Sequence, residues 1–296
     1  MLGILCAFAC LVLTALNDFI FKLFARKERS KGLFVSIIGV FWLFTLLPLP
    51  HGEKMNWTST ILWGSISGFF SAGGNILLIE GMSRQSAGLC SLIYRLNMVP
   101  VIIGASLILG QTTGPLQYAG IACAIGAILL FQWGNSSSTP AGKAGEPSGT
   151  SGRKMVSLGI ILVVIAAFMR AGMGLSYEYG FDHGADKNAV AQLNSLFWII
   201  GGIIYAFTKE FKILKNSDKK LLGYGALSGV LVAGIVVFMA WSLAYGDAVI
   251  VLPIAQMGFI LTFLLGVVFL KEPFRKKHIA ALLCAIAAVI LLATPR

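Results

Sequence analysis

Apolar residues in this chain neither alternate nor follow one helical face. They run in blocks, separated by short polar stretches. A bilayer-spanning helix needs about 20 mostly apolar residues. Ten blocks meet that length closely: 2–22, 32–50, 59–82, 86–110, 114–133, 156–178, 188–208, 221–244, 247–270 and 275–293. The pattern predicts ten transmembrane helices. The first block lacks a basic start and carries Asn17-Asp18 where a cleavage site would fall, so it is read as a retained span.

Composition supports this. Hydrophobic residues make up 57% and charged residues 12%, with a mean hydropathy of +0.85. A soluble domain carries about 25% charged residues. An ordinary cytosolic enzyme, a disordered chain and a DNA-binding domain are therefore excluded. The net charge is +11, and its location gives it meaning. The odd-numbered loops carry Lys22, Arg26, Lys27, Arg29 and Lys31; Arg84; Lys143, Arg153 and Lys154; Lys209, Lys212, Lys215, Lys219 and Lys220; and Lys271, Arg275, Lys276 and Lys277. The other face carries Lys54, Lys187 and Arg296. Basic loops stay cytoplasmic, so the odd loops are expected inside and both termini outside. The expected location is a bacterial inner (cytoplasmic) membrane.

The stretch 134–155 is rich in Gly, Ser, Thr and Pro and reads as a flexible linker. It divides the chain into a first half, 1–133, and a second, 156–296. Sliding the second half back by 161 residues aligns spans 3–5 with spans 8–10 without a gap. Gly64, Ser67, Gly68, Ala72 and Gly73 then lie over Gly225, Ser228, Gly229, Ala233 and Gly234. Small residues let helices approach closely in lipid. Five spans per half is an odd number, so the second half enters the membrane upside down. The expected fold is an all-α membrane protein of ten transmembrane helices, arranged as two inverted five-helix repeats.

These stripes, with the segment from Ala248 to Leu270-Lys271-Glu272-Pro273, resemble the ten-span EamA-type form of the drug/metabolite transporter (DMT) superfamily. The first-half counterpart, Ala87 to Leu109-Gly110-Gln111, has Gln in place of the expected Glu, and Pro100 and Pro253 are displaced from the usual proline position. The resemblance implies alternating-access transport through a central cavity lined largely by spans 1, 3, 4, 6, 8 and 9. Relatives of this kind carry amino acids and their metabolites, sugars, nucleotide sugars or lipophilic cations. Some have cytoplasmic termini, against the orientation that the charges here favour.

Ionisable residues at depth usually face a cavity or a partner. Arg95 lies about 14 Å into span 4 at 1.5 Å per residue, beside Tyr94 and Asn97. The repeat register puts Gln256 at the equivalent place in span 9. Arg170 and Tyr177 lie in span 6, Asn194 in span 7 and Asn75 in span 3. These eight are the candidate substrate-binding residues; Arg95 and Arg170 could equally stabilise the bundle. Glu178, Asp18 and Glu80 are candidate proton or ion relays. Asp18 with Lys22, and Glu80 with Arg84, also have the i,i+4 spacing of structural pairs. Glu272 is expected to cap the last helix.

The five cysteines sit in apolar runs, and the three histidines at loops or segment ends. Neither set has metal-ligand spacing. No cofactor and no metal are expected.

Two deep arginines and few deep carboxylates favour a substrate with an anionic group, such as an amino acid or another carboxylate-bearing metabolite, because Arg forks onto carboxylate. The expected function is secondary active transport of such a compound by a monomer or weak homodimer in the lipid bilayer, without nucleic acid. Arg95→Ala is expected to abolish it without unfolding the protein. The alternatives are a lipophilic-cation or sugar/nucleotide transporter of the same fold. A membrane-embedded enzyme or a non-transporting sensor would need a deep nucleophile–base pair or an output domain, neither of which is visible.

Overall fold

Helix starts in this chain are written in short polar side chains. Ser30, Asn56, Ser86 and Asp186 each accept a hydrogen bond from the backbone amide three residues on, filling a donor that the helix cannot satisfy itself. The computed structural model describes residues 1–52, 55–108, 114–135, 151–214, 220–246 and 248–294. They form α1 (Leu2–Ala25), α2 (Lys31–Leu46), α3 (Trp57–Met82), α4 (Ala87–Arg95), α5 (Met98–Ile108), α6 (Pro115–Asn135), α7 (Ser151–Asp182), α8 (Lys187–Lys209), α9 (Phe211–Leu214), α10 (Lys220–Tyr245), α11 (Ala248–Gln256), α12 (Gly258–Leu270) and α13 (Lys276–Ala293). The described residues contain no strand. Gln111, Lys54, Lys143, Lys215, Lys219, Arg296 and positions 136–150 of the expected linker lie outside the described residues. Helix α7 already begins at Ser151, inside the stretch read as linker.

Seven helical runs among the described residues are long and apolar enough to cross a membrane; Lys31–Leu46 and Pro115–Leu130 are apolar but shorter. Many large apolar side chains face outward, among them Phe8, Phe44, Phe69, Leu129, Ile200, Phe207 and Val268. A folded chain leaves such a belt exposed where lipid is its solvent.

Helix pairing keeps its pattern when the halves are exchanged. Helix α3 packs on α7 and α10 on α1; α3 packs on α8 and α10 on α2; α2 packs on α8, and α6 on α13. The glycine stripes make these contacts. A Cβ added at Gly64, Gly68 or Gly73 would meet Leu193, Phe197 or Met169 at 2.7, 2.7 and 2.5 Å. At Gly225, Gly229 and Gly234 it would meet Ile37, Phe41 and Leu13 at 2.5, 2.5 and 2.9 Å. Each second-half partner lies 156 residues after its first-half counterpart (169 less 13, 193 less 37, 197 less 41). That register continues to Trp42 and Trp198, which meet edge to face at 5.5 Å.

Spans 4 and 9 are each broken at the same register position. Leu96 (φ −78°, ψ 12°) separates α4 from α5, and Met257 (φ −72°, ψ 4°) separates α11 from α12. Pro100 has no amide hydrogen to bond the Leu96 carbonyl and its ring crowds that oxygen, which breaks the ladder there.

On the face carrying the odd loops, polar side chains cross between helices. Lys22 of α1 donates to the carbonyls of Met82, the last residue of α3 (2.7 Å), and of Gln85 in the turn that follows. Asp18 is therefore not its partner, contrary to the i,i+4 expectation. Glu80 bonds Lys31 and Arg84 and accepts from the Tyr205 hydroxyl at 3.4 Å. Glu210 accepts from Ser30 (2.9 Å) and from the amides of Lys31 (3.1 Å) and Gly32 (3.0 Å) at the start of α2. Helix α12 ends at Lys271 in the left-handed conformation (φ 55°), where the amide of Glu272 bonds the Gly266 carbonyl. That turn aims the Glu272 carboxylate at the amide of Ala87 (2.8 Å). Glu272 is thus a cap, but on α4 rather than on the last helix. An anion at a helix N-terminus and a cation at a C-terminus each oppose the helix dipole favourably.

Candidate functional site

The broken span 4 places its charged residue at a helix end inside the bundle. Arg95 is the last residue of α4 and is 7% exposed. Its Nη2 donates to both oxygens of Asp18, at 3.2 and 3.4 Å, and the Asp18 carboxylate also accepts from the Ser91 hydroxyl at 2.6 Å. Asp18 is itself 2% exposed. A charge this deep needs such a partner. The centre of the Tyr94 ring is 5.7 Å from the guanidinium of Arg95 and 5.3 Å from that of Arg170, and Arg170 also hydrogen-bonds the Tyr94 side chain. Arg170 has no salt-bridge partner among the described residues.

These residues end a cavity of about 540 Å³. Its polar wall is Thr14, Asn17, Asp18, Ser71, Asn75, Tyr94, Arg95, Arg170 and Tyr177. Trp42, Trp198 and Phe181 supply aromatic surface, and Val232, Ile235, Val236, Met239 and Leu243 of α10 an apolar side. Lys187 and Ala244, both exposed, lie at the mouth. The cavity therefore opens on the face of the even loops and is closed on the other by the polar crossings described above. Local bonds fix its walls. Trp198 Nε1 donates to Ser71 Oγ at 2.8 Å, and Asn75 Nδ2 to the Ser71 carbonyl at 2.9 Å.

Six of the residues singled out in the sequence meet here: Tyr94, Arg95, Arg170, Tyr177, Asn75 and Asp18. Five do not line the cavity. Asn194 is fully buried behind Tyr177, bonded to its hydroxyl and to Ser67 Oγ (2.9 Å), so it positions that ring. Asn97 lies in the helix break, where its side-chain amide, turned so that the nitrogen faces the two acceptors, donates to the carbonyls of Arg95 (3.1 Å) and Tyr94 (3.2 Å). Gln256 ends α11, half-buried. Glu178 is exposed on α7, and Glu80 belongs to the odd-loop cluster. Span 9 was expected in the lining and is absent among the described lining residues, whereas spans 2 and 7 contribute Trp42, Lys187, Ala191 and Trp198.

Sequence reading missed Trp42, Trp198, Phe181 and Lys187. The first two carried a signal: Phe41-Trp42 and Phe197-Trp198 are the same dipeptide in the two halves. Beside the mouth, Asp186 caps α8 and ties two loops together. Its carboxylate accepts from the amides of Ala189 (2.7 Å) and Gly52 (2.9 Å) and faces His51 Nδ1 at 3.4 Å. Burial pushes this carboxyl up, but those three partners outweigh it and hold it below the ordinary carboxylate range.

The geometry admits a small molecule with an anionic group and apolar or aromatic bulk. The profile of the EamA-like transporter family matches residues 1–133 and 157–294. An uncharacterized protein of Methanocaldococcus jannaschii is 30% identical over 109 residues, 35% of this chain and 80% of that relative. A protein of known crystal structure, 14% identical, superposes with a TM-score of 0.58 over 98% of this chain and 94% of its own, a likeness of fold alone. With spans on both sides of the match boundary and exposed apolar belts, the chain is an integral membrane protein that belongs to the EamA-like transporter family of the DMT superfamily.

Proposed function

We propose that this protein is a secondary active transporter that carries a small carboxylate-bearing metabolite, an amino acid or organic acid, across a bacterial cytoplasmic membrane. The observation that carries this reading is the charge of the cavity. Asp18 neutralises Arg95, which leaves Arg170 in the wall and Lys187 at the mouth as the cations offered to a substrate. A guanidinium facing a largely apolar cavity attracts an anion strongly, because little water competes for it. Lys187 stands where an arriving anion would meet it.

The mechanism is alternating access between two inverted five-helix repeats. Three features support ten spans in that arrangement: pairing that survives exchange of the halves, helix breaks at Leu96 and Met257, and two family matches on either side of residues 134–156. The conformation described is open on the even-loop face. Opening the opposite face requires the crossings of Glu80, Glu210, Glu272 and Lys22 to separate.

A second reading, transport of a lipophilic cation, has the aromatic wall and Asp18 in its favour. The Arg95 pair counts against it. A thermal-shift panel of amino acids, mono- and dicarboxylic acids including phenylacetate, sugars and quaternary ammonium compounds separates the readings. Carboxylates are expected to stabilise the purified protein, and Arg170→Ala to lose that response. Stabilisation by quaternary ammonium compounds alone contradicts the proposal.

A further inference from the structure

We infer that Asp18 is the entry point of a proton that travels with the substrate, because Asp18 and the substrate carboxylate compete for Arg95. The inference rests on the reading of the cavity as a carboxylate site. Arg95 holds Asp18 through a single nitrogen, at 3.2 and 3.4 Å, and its Nε is buried without a partner. Both residues line the cavity, so a guanidinium held this loosely can turn from Asp18 to an incoming carboxylate. Arg170 and Arg95 stand 5.3 and 5.7 Å from the centre of the same Tyr94 ring and line the same cavity as Asp18, so a substrate drawn to Arg170 arrives near the Asp18–Arg95 pair.

Two carboxylates and two guanidinium groups then share one dry site. When the substrate takes the Arg95 fork, Asp18 keeps the Ser91 hydroxyl but loses its counter-ion. A buried carboxylate stripped of its counter-ion takes a proton. The proton comes from the bulk solution, whose buffer gives it up, onto an Asp18 oxygen, and Arg95 stays protonated throughout. Arg95, Arg170 and Asp18 together carry one positive charge. A monoanion arriving with one proton leaves that charge unchanged, so the loaded carrier crosses no new electrostatic barrier.

One other acid lies near Asp18: Glu272, held on the Ala87 amide at the start of α4 with its second oxygen buried, acts on Lys22 and Cys90. Helix α4 presents Cys90, Tyr94 and Arg95, α7 presents Arg170, and Lys22 stands one turn along α1 on backbone carbonyls. Helices α11 and α12 contain no ionisable residue, α10 has them only near its ends (Lys220, Tyr224, Tyr245), and the one in α3, Glu80, is bonded to Lys31 and Arg84.

The test is calorimetric binding of phenylacetate to the purified full chain, in buffers of different ionisation enthalpy, with uncharged phenylacetamide as control. Wild type is expected to take up one proton per phenylacetate, and its Kd to tighten as pH falls across the pH window of that uptake. Asp18→Asn is expected to bind phenylacetate with no proton uptake and no pH dependence. Ser91→Ala removes a donor to the ionised carboxylate and is expected to keep the proton while moving the pH window upward. If Asp18→Asn does not fold, the wild-type proton count and the Ser91→Ala shift decide. Binding without proton uptake, or uptake that persists in Asp18→Asn, overturns the inference and leaves the transport reading intact. Failure of every carboxylate in the panel to bind removes both.

Discussion

Arg95 and Arg170 look alike in the sequence, as cations deep in apolar segments, and the structure gives them different roles. Arg95 is half of a buried ion pair, so removing it strands the Asp18 charge. The prediction for Arg95→Ala changes accordingly: it destabilises the protein by about 3 kcal/mol or more, while Asp18→Asn with Arg95→Gln recovers much of that loss. Thermal unfolding of the three proteins checks it; equal melting of wild type and Arg95→Ala would contradict it. Arg170→Ala removes no salt bridge and is expected to lose substrate response at near-normal stability. Sequence spacing could mark both arginines but could not see that a residue 77 positions away holds one of them. Asp186 gives a pH prediction. Its folded-state carboxyl lies below the unfolded one, near 3.9, so its contribution to stability is present above that value. The contribution is lost as pH falls through the folded value. Wild type is expected to lose thermal stability on acidification below about pH 4. Asp186→Asn should start lower at neutral pH and decline less. Parallel acid profiles would exclude this role.

At the scale of the helix, the small-residue stripes were legible because packing in lipid requires them at repeated places. The partners they pack against were not, because aligning spans 1–2 with 6–7 needs a different register, 156 rather than 161 residues. The shift falls in the connections before spans 3 and 8, which aligned copies of one motif need not share. The helix breaks in spans 4 and 9 were equally invisible: Pro100 and Pro253 lie at different register positions, yet the breaks coincide. The stripe predicts an asymmetric cost. A Cβ at Gly68 meets the side chain of Phe197, at 2.7–3.0 Å, whereas at Gly229 it meets Phe41 Cβ at 2.5 Å and the backbone oxygen of Ile38 at 2.9 Å. A ring can rotate, but a helix backbone cannot yield locally. Both Gly→Ala variants should lose stability by about 1–3 kcal/mol from overpacking, Gly229→Ala more than Gly68→Ala. Addition of Phe197→Ala should relieve only Gly68→Ala. The reverse order in thermal unfolding would contradict the packing assigned to α10.

The whole molecule presents two unlike faces. One carries most of the basic residues and is closed by polar crossings; the other carries Lys187 at the cavity mouth. Charge distribution made the first face readable from the sequence, while the closure depends on contacts between distant segments. Orientation follows as a prediction. In intact cells, an impermeant maleimide is expected to label Lys187→Cys from outside and Lys212→Cys only after permeabilisation. Labelling in the opposite order would invert the topology. The central claim, a carboxylate carrier working through Arg170, is tested most directly by counterflow in proteoliposomes loaded with the carboxylate that gives the largest thermal shift. External labelled carboxylate is predicted to accumulate transiently with wild type and not with Arg170→Ala. Equal accumulation in the two, or simple equilibration with no overshoot in wild type, would contradict it.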